Sequence, residues 1–297
     1  MALSWNLDTA DTIDFASFVE FFKAQGDALF DSQLDESALM MRRLANNREF
    51  LTERLNQELE NSQSLMGFQA NNVYTPQTFI LSSQKAFFVR VNIWAPLQQR
   101  PGEGLFFYDT AHDHNFAFLT VGYLGSGYRT QISEYDPATL IGYTDERVAL
   151  RFLEDTKLPF GKVMFFRQNL DIHTQIPPDE LSISLNVLKK PTEPRSDQYF
   201  FDIAQGRSLG KADKHPVGLL NRLAGAVGND HSVELLKRIA ATDNARRTRL
   251  AAYDAIAKLS TPAIWERALE DRDELIRMTA AQHLGTIERG GDRHAGS

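Results

Sequence analysis

The sequence contains no cysteine. Disulfide bridges, thiolate metal ligands and a cysteine nucleophile are therefore excluded. No apolar run approaches the roughly 18 residues that a membrane-spanning helix needs, so no membrane span is expected. A basic surplus is missing too. The 32 Lys and Arg face 39 Asp and Glu, for a net charge of −7, which argues against a nucleic-acid partner. Met1–Asp8 lacks a basic stretch leading into an apolar core, so no secretory signal is visible. A reducing, cytoplasmic setting is expected. The motif inventory is equally thin. Gly122–Gly127 has neither the lysine nor the following helix of a phosphate loop. No nucleophile elbow of the G-x-S-x-G kind and no zinc-protease helix occurs. The basic group Arg246, Arg247 and Arg249 has acidic residues nearby and reads as a solvated helix face.

What is present divides the chain by periodicity. Residues 1–70 read as helical and are expected to pack on the next domain. Phe15, Phe18, Val19 and Phe22 fall on one helical face, and a second helix is expected from about Asp35 to Asn61, with Leu39, Met40, Leu44, Leu51, Leu55 and Leu59 as its apolar stripe. Residues 71–192 change to short β-like runs: Phe87–Trp94, Phe116–Tyr123, Arg129–Tyr135, Val163–Phe166 and Leu181–Leu188. Gly125-Ser126-Gly127 reads as a hairpin turn between two of them. Many short strands with regular turn signals point to an antiparallel sandwich or barrel. Residues 193–214, polar and carrying Pro194, are expected to be a linker. Residues 215–290 read as helical, and Arg249–Leu259 is echoed by Arg277–Ile287, a repeat of HEAT type. Residues 291–297 are expected to be a disordered tail.

The chemistry concentrates in the β-like region. Histidine is sparse, seven in 297 residues, yet two stand at His112 and His114 around Asp113. On a strand, residues two apart point to one face. Both imidazoles therefore enter one space, and Asp113 points the other way. Neutral imidazole is the commonest protein metal ligand. His173, in a second β-like stretch, completes a candidate trio that leaves positions on a metal open for substrate or oxygen.

Tyr74-Thr75, His112-Asp113-His114-Asn115, Thr130–Pro137, His173 and Leu181–Val187 together resemble the cysteine dioxygenase-like thiol dioxygenases of the cupin superfamily over about residues 73–190. The resemblance implies an α+β fold: an antiparallel cupin β-barrel flanked by the N-terminal helices and the C-terminal HEAT-like domain. It implies non-haem Fe(II) held by His112, His114 and His173, with O2 and a small molecule as substrates and a homodimer as the assembly. No carboxylate occupies Asn115–Leu119, where many cupins have a glutamate ligand. Glu134 is the nearest acidic alternative, on another strand.

This chain also departs from the family. Pro76 and Gln77 stand where the family's carboxylate-binding arginine would be, and Arg90 is a substitute. Asn186 replaces a family histidine, and Leu188 stands near the position of a family tyrosine. A substrate other than cysteine is expected, an amino acid or derived metabolite. Candidate substrate-binding residues are Tyr74, Arg90, Tyr108, Tyr123, Arg167 and Asn186, and Asp109 is a candidate for orienting the imidazoles. Phe106, Phe107, Phe116, Phe118, Phe165 and Phe166 would supply apolar walls. Two other readings fit the same residues. One is a non-redox metal cupin acting as an isomerase or hydrolase. The other is a ligand-sensing module whose helices bind a partner protein.

Overall fold

The computed structural model describes residues 3–60, 77–97, 108–190, 197–211 and 216–285. Two units divide the chain. The first comprises Met1–Tyr135 and Leu150–Ser196, and the second Asp136–Ala149 and Asp197–Ser297. Among the described residues no helix is long and apolar enough to cross a membrane.

The first unit is built on a six-stranded antiparallel sheet. Its strands are β1 (Leu3–Asn6), β2 (Thr78–Ser83), β3 (Phe87–Trp94), β4 (Phe118–Leu124), β8 (Lys162–Phe166) and β10 (Ser182–Lys189), in the order β1-β8-β4-β10-β3-β2. A second sheet of three strands, β5 (Arg129–Glu134), β7 (Arg151–Lys157) and β9 (Asp171–Ile176), has the order β7-β5-β9. Successive side chains on a strand point to opposite faces, and the large sheet uses its two faces differently. Val89, Val91, Leu119, Val121, Leu185 and Val187 pack with Phe18, Phe22, Met41 and Leu44 of the helices α1 (Phe15–Gln25) and α2 (Leu34–Asn46). The intervening residues face the small sheet. There Trp94, Phe118, Met164, Phe166 and Leu188 share a core with Ile132 of β5.

Several expectations are corrected. The sheets do not close into a barrel: among the strands of the described residues, β7 and β9 pair with β5 and with none of the large sheet. Closure needs one continuous staggered ladder, and here one edge of the large sheet is taken by β1, a strand within residues read as helical. Gly125 and Gly127, with φ of 79° and 78°, do not make a hairpin. They carry the chain from β4 in one sheet to β5 in the other.

The helix expected from Asp35 to Asn61 is broken. α2 ends at Asn46 and α3 spans Phe50–Glu60. The Asn47 side-chain oxygen accepts from the backbone N–H groups of Glu49 and Phe50 at 3.3 and 3.2 Å, a local bond that competes with helix propagation. The buried stripe shifts with the break. Ala38, Met41, Leu44, Ala45 and Leu51 are buried, whereas Leu55 and Leu59 are 47% and 68% exposed.

In the second unit the expected linker contains two strands. β11 (Tyr199–Asp202) and β12 (Arg207–Lys211) form a three-stranded sheet with β6 (Glu146–Arg147), in the order β11-β12-β6. The hydrogen-bonded ladder outweighs the Pro and Gly signals that read as a linker. Helices α4 (Pro216–Val227), α5 (Asp230–Thr242), α6 (Arg246–Leu259), α7 (Ile264–Ala268) and α8 (Glu274–His283) follow. The echoed segments fall on α6 and α8, but α7 between them is five residues long, and a HEAT-type repeat is not shown. Arg247 is not simply a solvated residue: its guanidinium donates to the buried Asp197 carboxylate at 2.7 Å. Arg249 is buried against Asp271 at 2.9 Å. The expected tail, 291–297, lies outside the described residues.

Candidate metal centre

The two sequence-distant histidine segments meet by backbone pairing. His112 and His173 form an antiparallel bridge, with His112 N–H donating to the His173 carbonyl at 3.1 Å and His173 N–H to the His112 carbonyl at 2.9 Å. Asp109 N–H donates to the Gln175 carbonyl at 2.9 Å, and Asn169 N–H to the His114 carbonyl at 2.8 Å. The His112–His114 segment is thus laid along β9 and held at both ends. Asp109 and Asn169 take positive φ, 54° and 50°, a conformation that short polar side chains tolerate best among non-glycine residues. Asp109 serves this turn through its backbone.

Side-chain contacts complete the frame. Asp113 is fully buried and points away from the imidazoles. Its carboxylate accepts from the Tyr135 hydroxyl at 2.7 Å and from the Asn169 amide at 3.3 Å. Glu134 is not a ligand: it is paired with Arg151 and Arg167.

The three imidazoles converge. His114 Nε2 lies 3.0 Å from His173 Nε2, and His173 Nε2 lies 3.2 Å from His112 Nε2. One ligand atom from each lies within 4.8 Å of the others. The rings stand edge to face, with interplanar angles of 82°, 66° and 84°. Nitrogens held about 2.1 Å from one ion at right angles to each other would stand about 3.0 Å apart, so the donor set fits a single divalent ion. His112 Nδ1 lies 2.9 Å from the Thr110 carbonyl. A carbonyl only accepts, so the proton sits on Nδ1 and the Nε2 lone pair faces its neighbours, the arrangement found behind metal-bound histidines. Gln175, two residues after His173 on the same strand face, brings its amide to 3.0 Å from both ring nitrogens of His173.

Electrostatics favour neutral rings. Burial holds His112 below the ordinary histidine value, and His114 and His173 well below it. The Arg90 guanidinium is close enough to push all three further down. Neutral imidazole is the form that binds metal. The apolar wall consists of Phe116 and Phe118, 4.7 and 5.1 Å from the His114 ring, and Phe166, 4.7 Å from that of His173.

The other candidates separate cleanly. Arg90 and Asn186 are directly opposite one another on β3 and β10, and Thr120 of β4 is opposite Asn186 on the other side. All three are buried on the face toward the small sheet. Tyr108 sits beside Trp94 and donates to the Ala95 carbonyl at 2.8 Å, a structural bond; burial pushes its hydroxyl up to about 12. Tyr123 is on the helix side, donating to the Arg48 carbonyl at 2.9 Å, and so is Phe165. Their odd-numbered positions on β4 and β8 decide this. Arg167 is engaged by Asp171 and Glu134. Tyr74, Phe106 and Phe107 lie outside the described residues. Sequence reasoning assigned no role to Thr110, Gln175, Thr130 or Tyr135. Thr110 and Gln175 carried a signal, each standing two residues from a histidine of the trio, His112 and His173.

No protein-family model matches the chain, and no curated protein does. Solved structures share parts of it. A crystal structure of the DMSP lyases RdDddP and RnDddQII aligns at 14% identity over 42% of this chain and 52% of that one, with a TM-score of 0.27. A cupin domain from Bordetella pertussis aligns at 11% identity over 38% and 91%, TM-score 0.21. A structure described as a mannose-6-phosphate isomerase from Ralstonia eutropha aligns at 14% over 39% and 86%, TM-score 0.22. The chain thus spans about half the length of the lyase structure it matches. Superpositions this partial do not assign a family, and the class of protein is defined by its own features. It is a helix-backed β-sandwich with three histidines, His112 and His173 buried and His114 half-buried, whose imidazoles meet between its sheets.

Proposed function

We propose that the first unit is a metal-dependent enzyme centre of the cupin type, an oxygenase that uses Fe(II) and O2 to oxidise a small molecule. The observation that carries the reading is the convergence of His112, His114 and His173 with Nε2 separations of 3.0 and 3.2 Å. These three residues would hold the ion through neutral nitrogens. A donor set without carboxylate leaves the ion its full charge, which supplies Lewis-acid and redox chemistry to bound molecules. The protein's own residues do the rest. Phe116, Phe118 and Phe166 exclude water from the histidine face. Thr110 fixes the His112 tautomer. Arg90, permanently charged, draws an anionic group toward the interior.

The same donor set supports a second reading, a non-redox isomerase or hydrolase, because imidazole serves zinc, nickel and copper as well as iron. Elemental analysis of the purified protein, beside His112→Ala and His173→Ala, tests the centre. About one equivalent of metal is expected in the wild type and close to none in either variant. Oxygen uptake then separates the readings: turnover that proceeds unchanged without oxygen refutes the oxygenase. A wild type that stays metal-free when Fe(II), Zn(II) or Ni(II) is supplied refutes both.

A further inference from the structure

The two faces of the large sheet differ in a way that folding alone does not require. On β3, β4 and β10 the residues toward the helices are Val89, Val91, Leu119, Val121, Leu185 and Val187. The alternate residues of the same strands are Arg90, Asn92, Thr120, Ser184 and Asn186, each at most 9% exposed. A core could be filled with aliphatic side chains on both faces, and buried polar groups cost free energy unless they are hydrogen-bonded.

Some of these groups satisfy one another. Thr78 donates to Asn92 at 3.0 Å, and the Trp94 indole to Ser184 at 2.9 Å. These pairs form one end of the row. Thr120, Asn186 and Arg90 form the next, and Arg90 acts electrostatically on all three histidines. Across from them the small sheet presents Thr130 and Gln175, directly paired in register next to Ile132 and His173. Thr130 is fully buried, and its hydroxyl has no hydrogen-bond partner among the described residues. A hydroxyl left unsatisfied in an interior is costly, and it lies on the strand face that carries His173.

We propose that the molecule bound beside the histidines is a small carboxylate bearing hydroxyl groups, a hydroxy acid, with its carboxylate toward Arg90 and its hydroxyls toward Asn186, Thr130 and Gln175. The proposal rests on the metal-centre reading for the location of the reacting end, but its recognition chemistry belongs to the protein's own side chains. A carboxylate meets the guanidinium with charge-assisted bonds. Hydroxyl groups both donate and accept, so they match a mixed row of amides and a threonine hydroxyl. An aliphatic acid of the same shape would leave the Thr130 hydroxyl buried and unanswered.

Calorimetric titration of the full chain, as isolated, with three probes tests this. Glycerate carries both features. 2-Methylbutanoate has the same shape with methyl groups for hydroxyls, and glycerol lacks the charge. Glycerate is expected to bind roughly tenfold or more tightly than 2-methylbutanoate, since sites built around a hydroxyl reject analogues that lack it. Glycerol is expected to give no saturable heat at millimolar concentration. Thr130→Val, which preserves shape, and Asn186→Leu should each shrink the preference for glycerate. Equal or tighter binding of 2-methylbutanoate overturns the proposal, as does the absence of glycerate binding at millimolar concentration. An unchanged preference in both variants overturns the assigned residues. Metal content measured on the same sample, before and after Fe(II), Zn(II) or Ni(II) is supplied, keeps the two failures apart: a metal-loaded protein without hydroxyl preference refutes only this inference, and one that stays metal-free refutes the centre.

Discussion

Replacing Tyr135 with phenylalanine removes one oxygen atom that touches none of the three imidazoles, yet it should weaken metal binding. The Tyr135 hydroxyl donates at 2.7 Å to the buried Asp113 carboxylate, the residue between His112 and His114. The Asn169 amide donates to the same oxygen at a longer 3.3 Å. A hydrogen bond to a charged group contributes about 1.5–3 kcal/mol. Losing it lets the His112–His114 segment relax from its place along β9, where the donor atoms meet. Residues behind metal ligands typically change affinity about 10–100-fold when mutated, or about 1.4–2.8 kcal/mol, the same size as the lost bond. Zn(II) affinity is measured by competition with a chelator, and the stability of the metal-free protein by urea unfolding. The expected result is a fall in both, with the Co(II) visible spectrum altered in the variant. A Tyr135→Phe protein that is destabilised by about that amount but binds Zn(II) as tightly as wild type, with an unchanged Co(II) spectrum, would refute the positioning role.

Three further outcomes follow from the same structure. Burial holds the three histidines below the ordinary 6.5, so below that pH the folded metal-free protein binds fewer protons than the unfolded chain and should lose stability as the pH falls; urea midpoints independent of pH between about 7 and 5 would contradict this. Hydrogen bonds from Arg129 and Gln131 hold the Asp155 carboxyl at about 2 instead of 3.8. Its folded value is depressed, so its contribution is present above the ordinary value and lost as pH falls toward 2. Arg129→Met should move the carboxyl upward in an NMR titration, and an unmoved value would show that Arg129 is not the cause. In the second unit, Arg249→Met leaves Asp271 buried without its guanidinium, from side chains 3% and 5% exposed in the pair. Breaking such a pair costs about 3–5 kcal/mol, and a urea-unfolding change below about 1 kcal/mol would place it with surface pairs.

Local pattern made the three histidines legible. Spacing of two puts His112 and His114 on one face, and the β-rich surroundings of His173 supply a third. Absences were equally informative, since a chain without cysteine leaves imidazole and carboxylate to bind a metal. The sequence by itself also determined that β-rich and helical regions alternate, because periodicities of two and 3.6 are local properties. It did not reveal that residues 197–211 form a sheet with Glu146–Arg147, because that ladder joins distant segments. It did not reveal that Tyr123 faces the helices while Thr120 faces the small sheet. Alternation separates the two faces of a strand without saying which is which. Only tertiary pairing decided that His112 lies opposite His173, that Asp113 is anchored by Tyr135 and Asn169, and that one face of the sheet is aliphatic and the other polar. Those facts depend on register between strands far apart in the chain, which packing fixes and local composition does not.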